Sequence, residues 1–64
     1  MKIILNGEPR EVSAQTLAAL LDECGLPRRV ATAVNERFVS ADARGTVDLQ
    51  DGDRVEVLGA MQGG

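Results

Sequence analysis

Apolar positions along the chain follow two rhythms, one of period two and one of three to four. Residues 1–5, MKIIL, form a short apolar run, and Asn6-Gly7 follows it directly. Both residues of an Asn-Gly pair tolerate positive φ, as a two-residue hairpin turn requires, so residues 8–12 are expected to return antiparallel to the first strand. Pro9 lacks a backbone N–H and stands near the start of that second strand, a position suited to a sheet edge. In SAQTLAALLDECG the spacing changes. Leu17, Leu20, Leu21 and Cys24 recur at i, i+3, i+4 and i+7, the single apolar stripe of a short helix. Ser13 can cap this helix with Val12 and Leu17 as a hydrophobic staple, and Thr16 can cap one that starts at Leu17. Gly25 suits the position just past the helix end, Leu26 can fold back on Leu21, and Pro27 prevents continuation. Asp22 and Glu23 sit near the negative end of the helix, where Arg28 and Arg29 can offset them.

The second half returns to period two. VATAV, residues 30–34, reads as a third strand, Asn35-Glu36 as a turn and residues 37–39 as a short continuation. Residues 40–50 are the least regular stretch, with Val47 and Leu49 at strand spacing. Asp51-Gly52-Asp53 is a turn, and residues 54–58 alternate as the last strand, with Val55 and Val57 on one face and Arg54, Glu56 and Leu58 on the other. There is no repeat, linker or low-complexity segment. One helix with one apolar stripe covers one face of a sheet, so this order predicts an α+β domain with a mixed four- to five-stranded sheet. The first and last strands then lie parallel at its centre. That is the β-grasp, or ubiquitin-like, arrangement. A ferredoxin-like domain needs a second helix, and a small barrel leaves this helix unexplained. Residues 1–58 are the expected domain and 59–64 a flexible tail.

Composition narrows the function more than the fold. The chain has 64 residues, no histidine, tryptophan or tyrosine, one phenylalanine and one cysteine. A domain this small has a single core and little room for a deep pocket. Without histidine no Ser-His or Cys-His pair can form, and one cysteine supplies neither an internal disulfide nor a zinc site. The net charge is −3, from 7 basic and 10 acidic residues, which disfavours nucleic acid and suits a basic protein partner. There is no apolar run of the roughly 20 residues a membrane span needs and no signal-peptide pattern, so a cytoplasmic protein is expected. Together these point away from a self-contained enzyme, toward a domain that acts through other proteins.

The candidate chemistry lies at the end, GAMQGG. Glycine lacks Cβ, so Gly63 and Gly64 can enter a channel too narrow for side chains, with Gln62 and Met61 as the approach. The carboxylate of Gly64 is a poor electrophile, but as an acyl-adenylate it gains a good leaving group, and a sulfur nucleophile can then displace AMP. Cys24, on the helical stripe, reads as a packed structural thiol. Asp51 and Asp53 lack the further ligands of a calcium loop and read as turn residues. Ile4 and Leu58 face the open side of the sheet on adjacent central strands and form a candidate docking patch.

VATAVNERFV, and LQDGDRVEVLGAMQGG to the end, resemble the ThiS sulfur carriers of thiamine biosynthesis. The strand ending in NG, the TLAALL helix, the A-V-N strand end, the D-G-D turn and the Q-G-G terminus occur in that family's order. The resemblance implies adenylation of Gly64 by an E1-like, ThiF-type adenylyltransferase using ATP and Mg²⁺, conversion to a thiocarboxylate by a sulfur-donor protein, and delivery to a ThiG-type thiazole synthase. It implies no cofactor bound by the chain itself. The molybdopterin synthase small subunit and ubiquitin-like protein modifiers share the Gly-Gly ending, so a carrier of the molybdopterin type and a protein modifier are the alternative readings. The family often has a proline and a tryptophan after the third strand; VSADARGTV has neither. With one aromatic residue in the chain, the docking surface is expected to be aliphatic.

Overall fold

The structure, a computed structural model, describes residues 1–59. They form strands β1 (Lys2–Leu5), β2 (Glu8–Glu11), β3 (Val30–Val34), β4 (Arg37–Val39) and β5 (Arg54–Gly59), helix α1 (Leu17–Glu23), and a 3-10 helix over Ala41–Thr46. The five strands make one sheet in the order β2-β1-β5-β3-β4. β1 and β5 are parallel at its centre, and the other neighbours are antiparallel. This is the expected β-grasp arrangement. The last strand runs one residue past the anticipated domain boundary, because Gly59 still pairs with Val30.

Local chemistry accounts for the elements. Asn6 and Gly7 have φ of 49° and 84°, so the first hairpin closes through two left-handed residues. Pro9 lies on β2, at a sheet edge. Thr16, not Ser13, caps α1: its hydroxyl accepts from the Ala19 N–H at 3.1 Å. The helix does not start earlier because Gln15 to Leu17 pair with Val47 to Leu49, and Glu23 reaches back to the segment before them. Its carboxylate accepts the N–H of Ser13 at 3.1 Å and of Ala14 at 2.8 Å. Among the described residues Arg28 and Arg29 form no ion pair with Asp22 or Glu23. Ion pairs among the described residues join Met1 to Glu11 and Arg54 to Glu36. Past the helix, Gly25 has φ of 68°, its N–H donates to the Asp22 carbonyl at 3.2 Å, and the Leu26 N–H donates to the Leu21 carbonyl at 2.8 Å. These are the two bonds of a Schellman end.

Helix and sheet enclose a core of Ile3 and Leu5 from β1, Leu17, Leu20 and Leu21 from α1, and Val55 and Val57 from β5. Each such side chain contributes roughly 1.5–3 kcal/mol when fully buried. Val47 and Leu49 do not form a sheet strand despite their spacing. Their partner is the helix entry: the Leu17 N–H donates to the Val47 carbonyl at 3.0 Å and the Leu49 N–H to the Gln15 carbonyl at 2.8 Å. Among the described residues no helix is long and apolar enough to cross a membrane.

Candidate docking face and strand exit

Alternation places Ile3, Leu5, Thr32, Val55 and Val57 toward α1, so the opposite face of the sheet carries Ile4, Ala31, Ala33, Phe38, Arg54, Glu56 and Leu58. Paired residues share a face. Leu58 lies opposite Ala31, and Glu56 and Phe38 both lie opposite Ala33. Leu58 is 68 % exposed and Phe38 73 % exposed, the two large apolar side chains standing out in solvent among the described residues. Ala31 and Ala33 between them present only methyl groups, so the two large side chains flank a shallow apolar trough. This corrects the aliphatic surface expected from composition: the single phenylalanine stands on the open face.

The pairing of Ile4 with Leu58 also needs correction. Ile4 faces the open side as expected and is half-buried, but its partner on β5 is Arg54. Leu58 lies four residues further along, about 13 Å away at strand spacing. Phe38 and Leu58, not Ile4 and Leu58, bracket the open patch near the strand exit.

β5 outruns β1 at that exit. Where the hairpin turn ends the β1 ladder, the Asn6 carboxamide takes over: its oxygen accepts the Val57 N–H at 2.8 Å and its nitrogen donates to the Val57 carbonyl at 3.1 Å. Leu58 and Gly59 are then held by β3 alone, through Ala31 and Val30. The chain thus leaves the sheet beside the exposed Leu58. Gly64, Gly63, Gln62 and Met61, read above as the reactive end and its approach, lie outside the described residues.

Sequence reasoning missed the group that fixes this corner from beneath. Arg44 is 6 % exposed. Its Nε donates to Thr32 Oγ1 at 3.1 Å, its Nη1 to the Arg28 carbonyl at 3.1 Å and its Nη2 to the Val30 carbonyl. Thr32 Oγ1 in turn donates to the Val39 carbonyl at 2.7 Å. One buried guanidinium therefore ties the 3-10 helix to the start of β3. A groove of about 330 Å³, lined by Leu21, Asp22, Arg28, Asp42 and Arg44, opens beside it.

The remaining candidates are structural. Cys24 is half-buried at the helix end, packed against the core, with Arg10 Nη2 3.7 Å from its Sγ. Asp51 accepts the Lys2 N–H at 2.8 Å. Asp53 accepts the Gln50 N–H at 2.8 Å and the Asn35 amide at 3.0 Å. Both aspartates are engaged in closing the turn before β5. Among the described residues no group of three His, Cys, Asp or Glu side chains is placed to hold a metal.

Comparison with known proteins agrees with this architecture. The model of the ThiS family matches residues 3–64. The chain is 43 % identical over 61 residues to the sulfur carrier protein ThiS of Thermus thermophilus, covering 94 % of this chain and 95 % of that one. It is also similar to two thiazole synthases, 39 % identical to that of Paramagnetospirillum magneticum and 44 % to that of Magnetococcus marinus, each over 66 aligned positions. All of this chain aligns there with 20 % of the relative, so it spans about a fifth of their length. The crystal structure of the thiamine biosynthesis protein ThiS from Geobacter metallireducens superposes with a TM-score of 0.84 at 29 % identity, covering 100 % of both chains. The chain belongs to the ThiS family, the sulfur carrier proteins of thiamine biosynthesis.

Proposed function

We propose that this chain carries sulfur as a thiocarboxylate on Gly64 and delivers it to a thiazole synthase. An E1-like adenylyltransferase, using ATP and Mg²⁺, joins the Gly64 carboxylate to AMP with loss of pyrophosphate. Sulfide supplied by a donor protein then attacks the acyl carbon, AMP leaves, and the thiocarboxylate remains on Gly64. The chain supplies the carboxylate, the side-chain-poor approach of Met61, Gln62 and Gly63, and a recognition face. Its partners supply the catalytic groups and hold the reacting atoms in line. On this reading the chain has no catalytic activity of its own and binds no cofactor.

The observation that carries the proposal is the family match, which runs through to Gly64. The geometry of the described residues is consistent with it. β5 leads the chain out beside Leu58 and Phe38, and burying either side chain against a partner contributes roughly 1.5–3 kcal/mol. Similarity to thiazole synthases favours thiazole as the acceptor over molybdopterin. A cytoplasmic setting belongs to the same reading, since thiol and thiocarboxylate persist in a reducing compartment. The test is removal of Gly64. The shortened chain should keep its circular dichroism and melting behaviour and lose all sulfur loading; loading that survives the deletion rules the proposal out.

A further inference from the structure

We propose that Arg28 and Arg29 form a basic corner at the strand exit and dock on an acidic rim of the enzyme that takes up the chain beyond Gly59. This rests on the sulfur-carrier reading above, since only a chain whose end is gripped needs recognition at that corner. Val30 pairs with Gly59, so the two arginines directly precede the residue that holds the exit in place. An enzyme that takes up the chain after Gly59 meets the molecule at the Val30–Gly59 pair, next to the two arginines.

Both side chains are exposed, and neither takes part in an ion pair among the described residues. Asp22 and Asp42 share a groove with Arg28 but lie beyond ion-pair distance. The fold holds this segment by its backbone: Arg44 grips the carbonyls of Arg28 and Val30, and among the described residues the guanidinium groups of Arg28 and Arg29 make no hydrogen bond. A fixed backbone with two uncommitted cations is a preorganised contact that loses little freedom on docking. The sign also discriminates. The chain carries a net charge of −3, so an acidic partner is repelled by the molecule as a whole and attracted at this corner, which orients the encounter. Nucleic acid does not fit the corner, because two cations neutralise few phosphates and the corner offers no aromatic platform for bases.

The experiment is ATP–pyrophosphate exchange by the cognate adenylyltransferase, followed against carrier concentration at low and high salt. For the double variant Arg28→Glu, Arg29→Glu we expect KM for the carrier to rise about tenfold at low salt with kcat unchanged, and the gap to close as salt screens the contact. Arg28→Lys with Arg29→Lys keeps both charges and should stay within about threefold of the parent chain. Arg37→Glu, on β4 opposite Val34 and away from the exit, makes half of the double reversal's change in net charge and should leave KM in place. If the charge reversal unfolds the chain, Arg28→Gln with Arg29→Gln gives the same comparison with a smaller shift. An unchanged KM in the reversed or neutralised variant overturns the inference, as does an equal rise for Arg37→Glu; both leave the sulfur-carrier reading standing. Absence of exchange with the parent chain removes that reading, and this inference with it.

Discussion

Replacing Arg44 by methionine removes the guanidinium while keeping an unbranched apolar stem in the same space. Three hydrogen bonds disappear: to Thr32 Oγ1, to the Arg28 carbonyl and to the Val30 carbonyl. Thr32 keeps its bond to the Val39 carbonyl, so its hydroxyl is not orphaned. The two carbonyls are part-buried, and each buried acceptor left unpaired costs about 1–3 kcal/mol. Two effects reduce the sum. Water entering the groove beside Arg44 satisfies part of this demand, and the variant no longer has to bury a cation. No carboxylate pairs with Arg44 among the described residues, so no orphaned ion is left behind. A net loss of about 2–3 kcal/mol results, against a total near 3–10 kcal/mol for a chain of this length. Thermal unfolding should then fall by roughly 10–20 °C. Arg44→Lys keeps the charge but not the fork, and should lie between the two. Urea titration of the three proteins by circular dichroism measures these losses. A loss below about 0.5 kcal/mol for Arg44→Met would mean that solvent holds the start of β3 as well as arginine does, and the clamp would have no energetic meaning.

Other expectations follow from single contacts. Leu58→Asp and Phe38→Asp, on the open face, should each change stability by no more than about 0.5 kcal/mol yet weaken binding to the adenylyltransferase by tenfold or more; equal affinity in both variants, read by calorimetry, removes the trough as a docking surface. Thr16→Ala should cost about 1 kcal/mol, while Ser13→Ala, whose side chain caps nothing, should be neutral; the reverse order in denaturant midpoints would reassign the cap. Glu36 holds φ of 71° in the second hairpin turn, so Glu36→Gly should stabilise by about 0.5–1 kcal/mol despite loss of the exposed pair with Arg54, and a destabilised variant would show that no strain resides there.

What could be read from the chain was local. Asn6-Gly7 dictates a hairpin because both residues accept left-handed backbone, and Gly25, Leu26 and Pro27 together dictate a helix end. The β-grasp order follows from one apolar stripe and one alternating last strand, with no knowledge of distant contacts. What stayed hidden depends on partners far along the chain. The choice between Ser13 and Thr16 is decided by the pairing of Gln15 to Leu17 with the distant residues Val47 to Leu49. Arg44 gives no sign in ADARGT that its side chain turns inward, because its acceptors lie 12 to 16 residues away. The three residues RFV give no sign of which face Phe38 takes, and only its register opposite Ala33 turns it to the open face. The distance between Ile4 and Leu58 is likewise a matter of register, since parallel strands have no short turn to set the offset.

Intact mass spectrometry after incubation with ATP, the cognate adenylyltransferase and a sulfur source reads the chemistry of the chain end without any assumption about docking. The expected product is the chain with one oxygen replaced by sulfur, reached through an AMP adduct when sulfur is withheld. A mass that stays unchanged in both incubations, with an enzyme shown to be active on another carrier, would contradict a role for Gly64 in carrying sulfur.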